Sequence, residues 1–78
     1  MKKLTNIFTS VLGISEEEVV PSLSPQTVSA WDSLNAIILL AEIEKAFDIK
    51  FDFQEAMAIK NFEYVEKLVE SRGGDISS

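Results

Sequence analysis

Apolar residues fall in helical register in three stretches of this chain, separated by polar segments that carry prolines and helix-capping residues. Leu4, Ile7, Phe8, Val11 and Leu12 recur at spacings of three and four, which predicts an amphipathic helix over about residues 2–13. Gly13 closes it in the usual C-terminal role. Residues 14–31 have no such period. Ser15-Glu16-Glu17-Glu18 has capping-box spacing, but Pro21 and Pro25 allow at most a short helical turn. Val19, Val20, Leu23 and Val28 are available to pin this stretch to a core. Loops of this length are uncommon in compact domains and often carry function.

A second helix is predicted from Ser33 to Phe47, with Asp32 as its N-cap and Asp48-Ile49-Lys50-Phe51 leading out. Asp52-Phe53-Gln54-Glu55 repeats the capping-box pattern and starts a short helix ending near Ala58. Asn61 caps a last helix over about residues 62–72, whose inner face is Phe62, Val65, Leu68 and Val69. There is no internal repeat, no low-complexity segment and no convincing strand pattern. The expected architecture is all-α, with four helices, a long loop between helices 1 and 2 and a short third helix. Residues 1–72 are expected to form one helical domain and residues 73–78 a flexible C-terminal tail.

The second helix has two apolar faces. At about 100° per residue, Ala36, Leu39, Leu40, Ile43 and Phe47 gather on one side and Leu34, Ile37, Ile38 and Ala41 on the other. Asn35 and Glu42 lie along one border, Ser33 and Glu44 along the other. A helix packed on one side of a small domain needs only one apolar stripe. The helix is therefore either central and buried all round, or exposes the Leu34 face as a docking surface beside Ser33. The second alternative is preferred, with Ile43 inward and Ile38 outward.

With 78 residues the chain makes a single small domain, and with no cysteine it has no disulfide to staple it. Its 46% hydrophobic content supplies enough Leu, Ile, Val and Phe for a compact helical core. Thirteen acidic against seven basic residues give a net charge of −6. That balance excludes nucleic acid, whose phosphates demand a basic surface, and disfavours an anionic membrane. Basic patches on other proteins are the natural complement, unless the acidity serves only solubility. The segment Met1-Lys2-Lys3-Leu4 lacks the continuous apolar core of a signal peptide, and no stretch approaches membrane-spanning length. The expected location is cytoplasmic, and the expected state monomeric.

Asp32-Ser33-Leu34 is where chemistry enters. It sets one hydroxyl at a helix N-terminus in a chain with no histidine and no cysteine. Without the usual base, that serine has little prospect as a nucleophile of its own. A phosphate-linked group attached there would meet unpaired N–H groups and the positive end of the helix dipole. Alone, the serine also reads as an ordinary first-turn residue. No catalytic, phosphate-loop or metal-ligand pattern occurs elsewhere. Asp48, Asp52 and Glu55 lack the alternating oxygen ligands and turn glycine of a calcium loop, which leaves only loose divalent-ion binding.

The triplet resembles the mark of the acyl carrier proteins and their peptidyl carrier relatives, an Asp-Ser-Leu or Asp-Ser-Met opening the second helix. Leu34 through Ile49 looks like that family's second helix, closing with a Glu-rich turn, a Phe and a Gly-Ile-like exit. The resemblance extends to the long first loop, the short third helix and the capped fourth. It implies a small four-helix bundle, not an enzyme. Ser33, flanked by Asp32 and Leu34, would carry 4′-phosphopantetheine, moved there from coenzyme A by a phosphopantetheinyl transferase. The arm ends in a thiol that holds cargo as a thioester, which accounts for a working chain without cysteine.

Two positions depart from the fatty-acid type. Asn35 and Ile38 stand where that type has acidic residues, while Glu42 and Glu44 remain, with Lys45 two residues before Phe47. The expected partner face is thus Leu34, Asn35, Ile37, Ile38, Ala41, Glu42 and Glu44, suited to a dedicated partner set in a specialised lipid or polyketide-type pathway. Its members would be an acyl- or aminoacyl-loading enzyme and a downstream synthase or transferase. Trp31 also differs from the small residue common before the triplet, and is expected to pack and fix the loop's entry. An aminoacyl carrier of the D-alanyl or peptidyl type, and an unmodified helical adaptor, remain open.

Overall fold

The computed structural model describes residues 2–76 and, among them, four α-helices and no strand. Helix α1 spans Lys3–Leu12 and ends on Gly13 at φ 66°, a left-handed position that a side chain rarely adopts. Helix α2 spans Ser33–Phe47, α3 Phe53–Met57 and α4 Phe62–Ser71. Each expected cap is in place. The Asp32 carboxylate accepts from Asn35 N at 2.8 Å, and Asn61 Oδ1 accepts from Tyr64 N at 2.8 Å. Asp52 and Glu55 close a reciprocal box at 2.8 and 3.1 Å.

The core forms where the inner stripes meet. Leu4, Phe8 and Leu12 of α1, Leu39 and Ile43 of α2, and Phe62, Val65 and Val69 of α4 are buried together. Phe8 stands edge-on to Trp31 and to Phe62, with centroids 5.2 and 4.8 Å apart. Such aromatic pairs contribute about 0.5–1.5 kcal/mol beyond their buried area. One side of α2 therefore supplies the core, and Leu34, Ile37 and Ile38 on its other side are exposed. The helix is not buried all round.

The long loop is structured. Ser15 N–H and Oγ–H donate to the Glu18 carboxylate at 3.4 and 3.2 Å, starting a single 3-10 turn at Glu16–Glu18. Leu23 is buried, and its carbonyl accepts from Phe62 N at 2.8 Å, while the Pro21 carbonyl accepts from Glu63 N at 3.1 Å. The loop thus satisfies two of the N–H groups that the first turn of α4 would otherwise leave unpaired. Further along, Thr27 Oγ1 accepts from Ser24 N at 3.0 Å, and Trp31 N donates to the Val28 carbonyl at 3.1 Å. These turns deliver the chain to Asp32 in a defined path.

Short helix α3 is tied at its start and at its middle residue. Glu44 of α2 accepts from Phe51 N at 2.8 Å, and Arg72, after α4, pairs with Glu55 and reaches the Lys50 carbonyl. At the C-terminal side, Gly73 N and Gly74 N donate to the carbonyls of Glu70 and Val69, and Ile76 packs against the core. A Cβ on Gly74 would lie 2.5 Å from the Val69 side chain, so this return needs glycine. Met1, Ser77 and Ser78, the last two part of the expected tail, lie outside the described residues. Among the described residues, no helix is long and apolar enough to cross a membrane.

Candidate functional site

Ser33 is the first residue of α2, and its side chain is exposed. Three restraints hold the backbone beneath it. Asp32 caps the helix through Asn35 N, the Asp32 carbonyl accepts from Ala36 N at 2.9 Å, and Asn35 Nδ2 donates back to the Ala30 carbonyl at 2.7 Å. Trp31, two residues earlier, is buried against Phe8, so the residue that leads into the site is anchored in the core as expected. Among the described residues, the amide N–H groups of Ser33 and Leu34 have no acceptor. They point the positive end of a 15-residue helix toward the serine.

This arrangement receives a phosphate-linked substituent well, because two free N–H donors and the helix dipole both favour an anion. The chain contains no histidine or cysteine, and the adjacent carboxylate, Asp32, is committed to its cap. Asp52 and Glu55 are likewise engaged in the α3 box, and among the described residues no cluster of three or more His, Cys, Asp or Glu could hold a metal ion.

Two concavities share Ser33 as a wall. A cavity of about 170 Å³ runs from Pro25, Asp32 and Ser33 at the surface inward to the buried Phe8, Ile43 and Val65. A shallower groove of about 540 Å³ lies between α2 and α3, with Ser33, Ile37 and Ala41 on one side and Phe53 and Met57 on the other. A further groove on the opposite flank of α2 is lined by Asn35, Ile38 and Glu42, facing Ile7 and Val11 of α1.

The outer face of α2 is therefore two flanks. Leu34 and Ile37 are each 66% exposed, Ile38 is turned toward α1, and Ala41 and Glu42 are exposed. Two residues assigned to this face have work inside the molecule. The Asn35 amide is half-buried and holds the loop, and the half-buried Glu44 carboxylate holds the turn before α3. Phe53 and Met57 were not foreseen as surface residues. Their spacing of four on a five-residue helix places them on one side, but that signal does not say whether the side faces in or out.

Comparison with known proteins bears on this site. The family profile described as phosphopantetheine attachment site matches residues 2–69. An acyl carrier protein of Rubrobacter xylanophilus is 33% identical over 63 residues, covering 81% of this chain and 78% of that protein.

Proposed function

The chain belongs to the phosphopantetheine-attachment family of the acyl carrier proteins, and on that premise we propose that Ser33 is its attachment site and that the cargo is an acyl group. Members of this family are carriers and not enzymes, bear 4′-phosphopantetheine covalently on a serine, and work with a transferase and with synthases. The arm contributes a terminal thiol on which cargo is held as a thioester. The observation that carries the assignment is the exposed Ser33 hydroxyl beside two unpaired amide donors at the mouth of α2.

This chain's part in loading is to present that oxygen. The Ser33 O–H bond gives way to an O–P bond, the pyrophosphate of coenzyme A is split, and adenosine bisphosphate leaves. The proton goes to a base on the transferase, because Asp32 is occupied by its cap and no histidine exists here. Asp32, Asn35 and Trp31 hold the Ser33 backbone still, so that little ordering remains to be done when the transferase arrives.

Acyl cargo is favoured over aminoacyl cargo by the cavity beside Ser33. Its inner wall is apolar, and it has about the volume of an engineered cavity of about 150 Å³ that stays dry and binds benzene. A charged amine gains nothing there, since desolvation without a partner is costly. Asn35 and Ile38, apart from the acidic pattern of general fatty-acid carriers, support a dedicated pathway of lipid or polyketide type. Intact-mass measurement after incubation with coenzyme A and a broad-specificity transferase tests the proposal. The expected result is a gain of one phosphopantetheine that Ser33→Ala abolishes; a gain that survives the substitution refutes the site.

A further inference from the structure

Ser33, Ile37, Ala41 and Lys45 follow one another four residues apart along α2, and all four are exposed. They form one ridge of the helix, about 18 Å long at about 1.5 Å per residue. Two grooves border this ridge and share Ala41 and Glu44. One begins at Ser33, and the other, of about 430 Å³, is lined by Lys45 and Lys50. A continuous trough therefore leads from the Ser33 hydroxyl to a pair of lysines at the C-terminal end of α2. Lys45 and Lys50 are both exposed, and among the described residues neither ammonium has an ion-pair partner. Two other cations of that end are occupied, since Lys3 donates to the Ala46 carbonyl and Arg72 pairs with Glu55. Of the carboxylates on the groove, Glu44 accepts from Phe51 N, and Asp48 is exposed at the left-handed C-cap of α2.

We propose that Lys45 and Lys50 receive the free carboxylate of a dicarboxylic acyl group carried on the arm. The inference rests on Ser33 being the attachment site, and it names the class of acyl cargo. About fourteen bonds separate the Ser33 oxygen from the arm's sulfur, nearly as many as in five extended residues, which gives a reach of about 16 Å. A short acyl group adds a few ångströms, so its far carboxylate comes level with Lys45 and Lys50. The small Ala41 leaves the trough open at its midpoint. The apolar cavity beside Ser33 offers such cargo nothing, because a carboxylate buried there loses its water without gaining a partner. An uncharged acyl chain has the opposite preference. Tethering raises the local concentration of the carboxylate to roughly the millimolar range, so ion pairs too weak to hold a free ligand suffice.

The test loads the full chain from malonyl- or butyryl-coenzyme A with a broad-specificity transferase, and intact mass confirms each product. Malonyl supplies the carboxylate, and butyryl is an uncharged group of similar length. In the malonyl form the side-chain NMR signals of Lys45 and Lys50 shift from their positions in the unloaded chain, and in the butyryl form they do not. Hydroxylamine cleaves the malonyl thioester about two- to fivefold more slowly in the wild type than in Lys45→Gln/Lys50→Gln, the scale of one exposed ion pair. Butyryl cleavage is equal in the two proteins. Both lysines are exposed, so the double variant keeps the wild-type melting temperature. Asp48→Asn, which a left-handed C-cap accepts, enlarges the malonyl effect by removing a competing anion. Raising salt from about 0.1 M to about 1 M shortens the screening length from about 10 to about 3 Å and removes the effect. Identical lysine signals in the two loaded forms overturn the inference, and so does a malonyl cleavage rate that the lysine substitutions leave unchanged. An equal shift produced by equimolar free malonate in the unloaded chain also overturns it, since the tether then contributes nothing. Failure of the attachment site is a separate result: no mass gain in the wild type, or a gain retained in Ser33→Ala, removes the reading beneath it before any loaded forms are compared.

Discussion

Truncating Ile43 to alanine should be among the most damaging single changes on α2. Its side chain is 0% exposed and lies between α1 and α4 on the inner face of α2. At about 0.8 kcal/mol per buried methylene, the lost carbons remove about 2.4 kcal/mol of transfer free energy. A cavity term adds to this, because Ile43 already borders the 170 Å³ void and its neighbours Phe8 and Val65 are themselves held in the core. The total is about 3–4 kcal/mol, within the range for aliphatic-to-alanine changes. A domain of this size has a total stability of about 4–12 kcal/mol. A loss of that magnitude lowers the melting temperature by about 12–30 °C, at about 4–8 °C per kcal/mol. Thermal melts followed by far-UV circular dichroism, with a urea titration to confirm an unchanged slope, measure it. Ile37→Glu is the matched control. On the exposed side of the same helix, it should change stability by no more than about 0.5 kcal/mol. If the two variants lose stability equally, the division of α2 into an inner and an outer face is wrong.

Two further outcomes follow from the same geometry. Asp32→Ala removes the acceptor for Asn35 N, costs about 1 kcal/mol in a chemical-denaturation assay, and slows loading of Ser33 by loosening the first turn; Asp32→Asn keeps most of both. An Asp32→Ala protein as stable as the wild type would refute the capping role. Glu66 on α4 has its pKa raised above the ordinary value of 4.5, chiefly by burial and further by Glu70 and Glu63, with Lys2 opposing. The folded state therefore binds this proton more tightly than the unfolded state, so the carboxyl's contribution is full below 4.5 and is lost as pH rises through the raised folded value. Melts across that window should show the wild type losing stability relative to Glu66→Gln as pH increases, and an unchanging difference would sink the assignment.

Much of this protein was already decided within short windows of its sequence. The stripe of Leu4, Phe8 and Leu12, the caps at Asp32 and Asn61, the Asp52–Glu55 box and the stop at Gly13 depend on residues three or four apart. Helix periodicity and capping hydrogen bonds act over that same range, so these elements and the placement of Ser33 at a helix mouth are legible without a fold. Burial is not local. Both faces of α2 are apolar, and only the packing of α1 and α4 against Leu39 and Ile43 leaves Leu34 and Ile37 outside. The same holds for α3, where Phe53 and Met57 are as apolar as the core yet face outward because Phe51, Ala56 and Ile59 take the inner side. Asn35 and Glu44 read as surface groups along the helix border, but the loop carbonyl of Ala30 and the amide of Phe51 come within reach only once the chain has folded back. A hydrogen bond to a distant segment depends on where tertiary packing puts that segment, and the spacing of nearby residues does not record it.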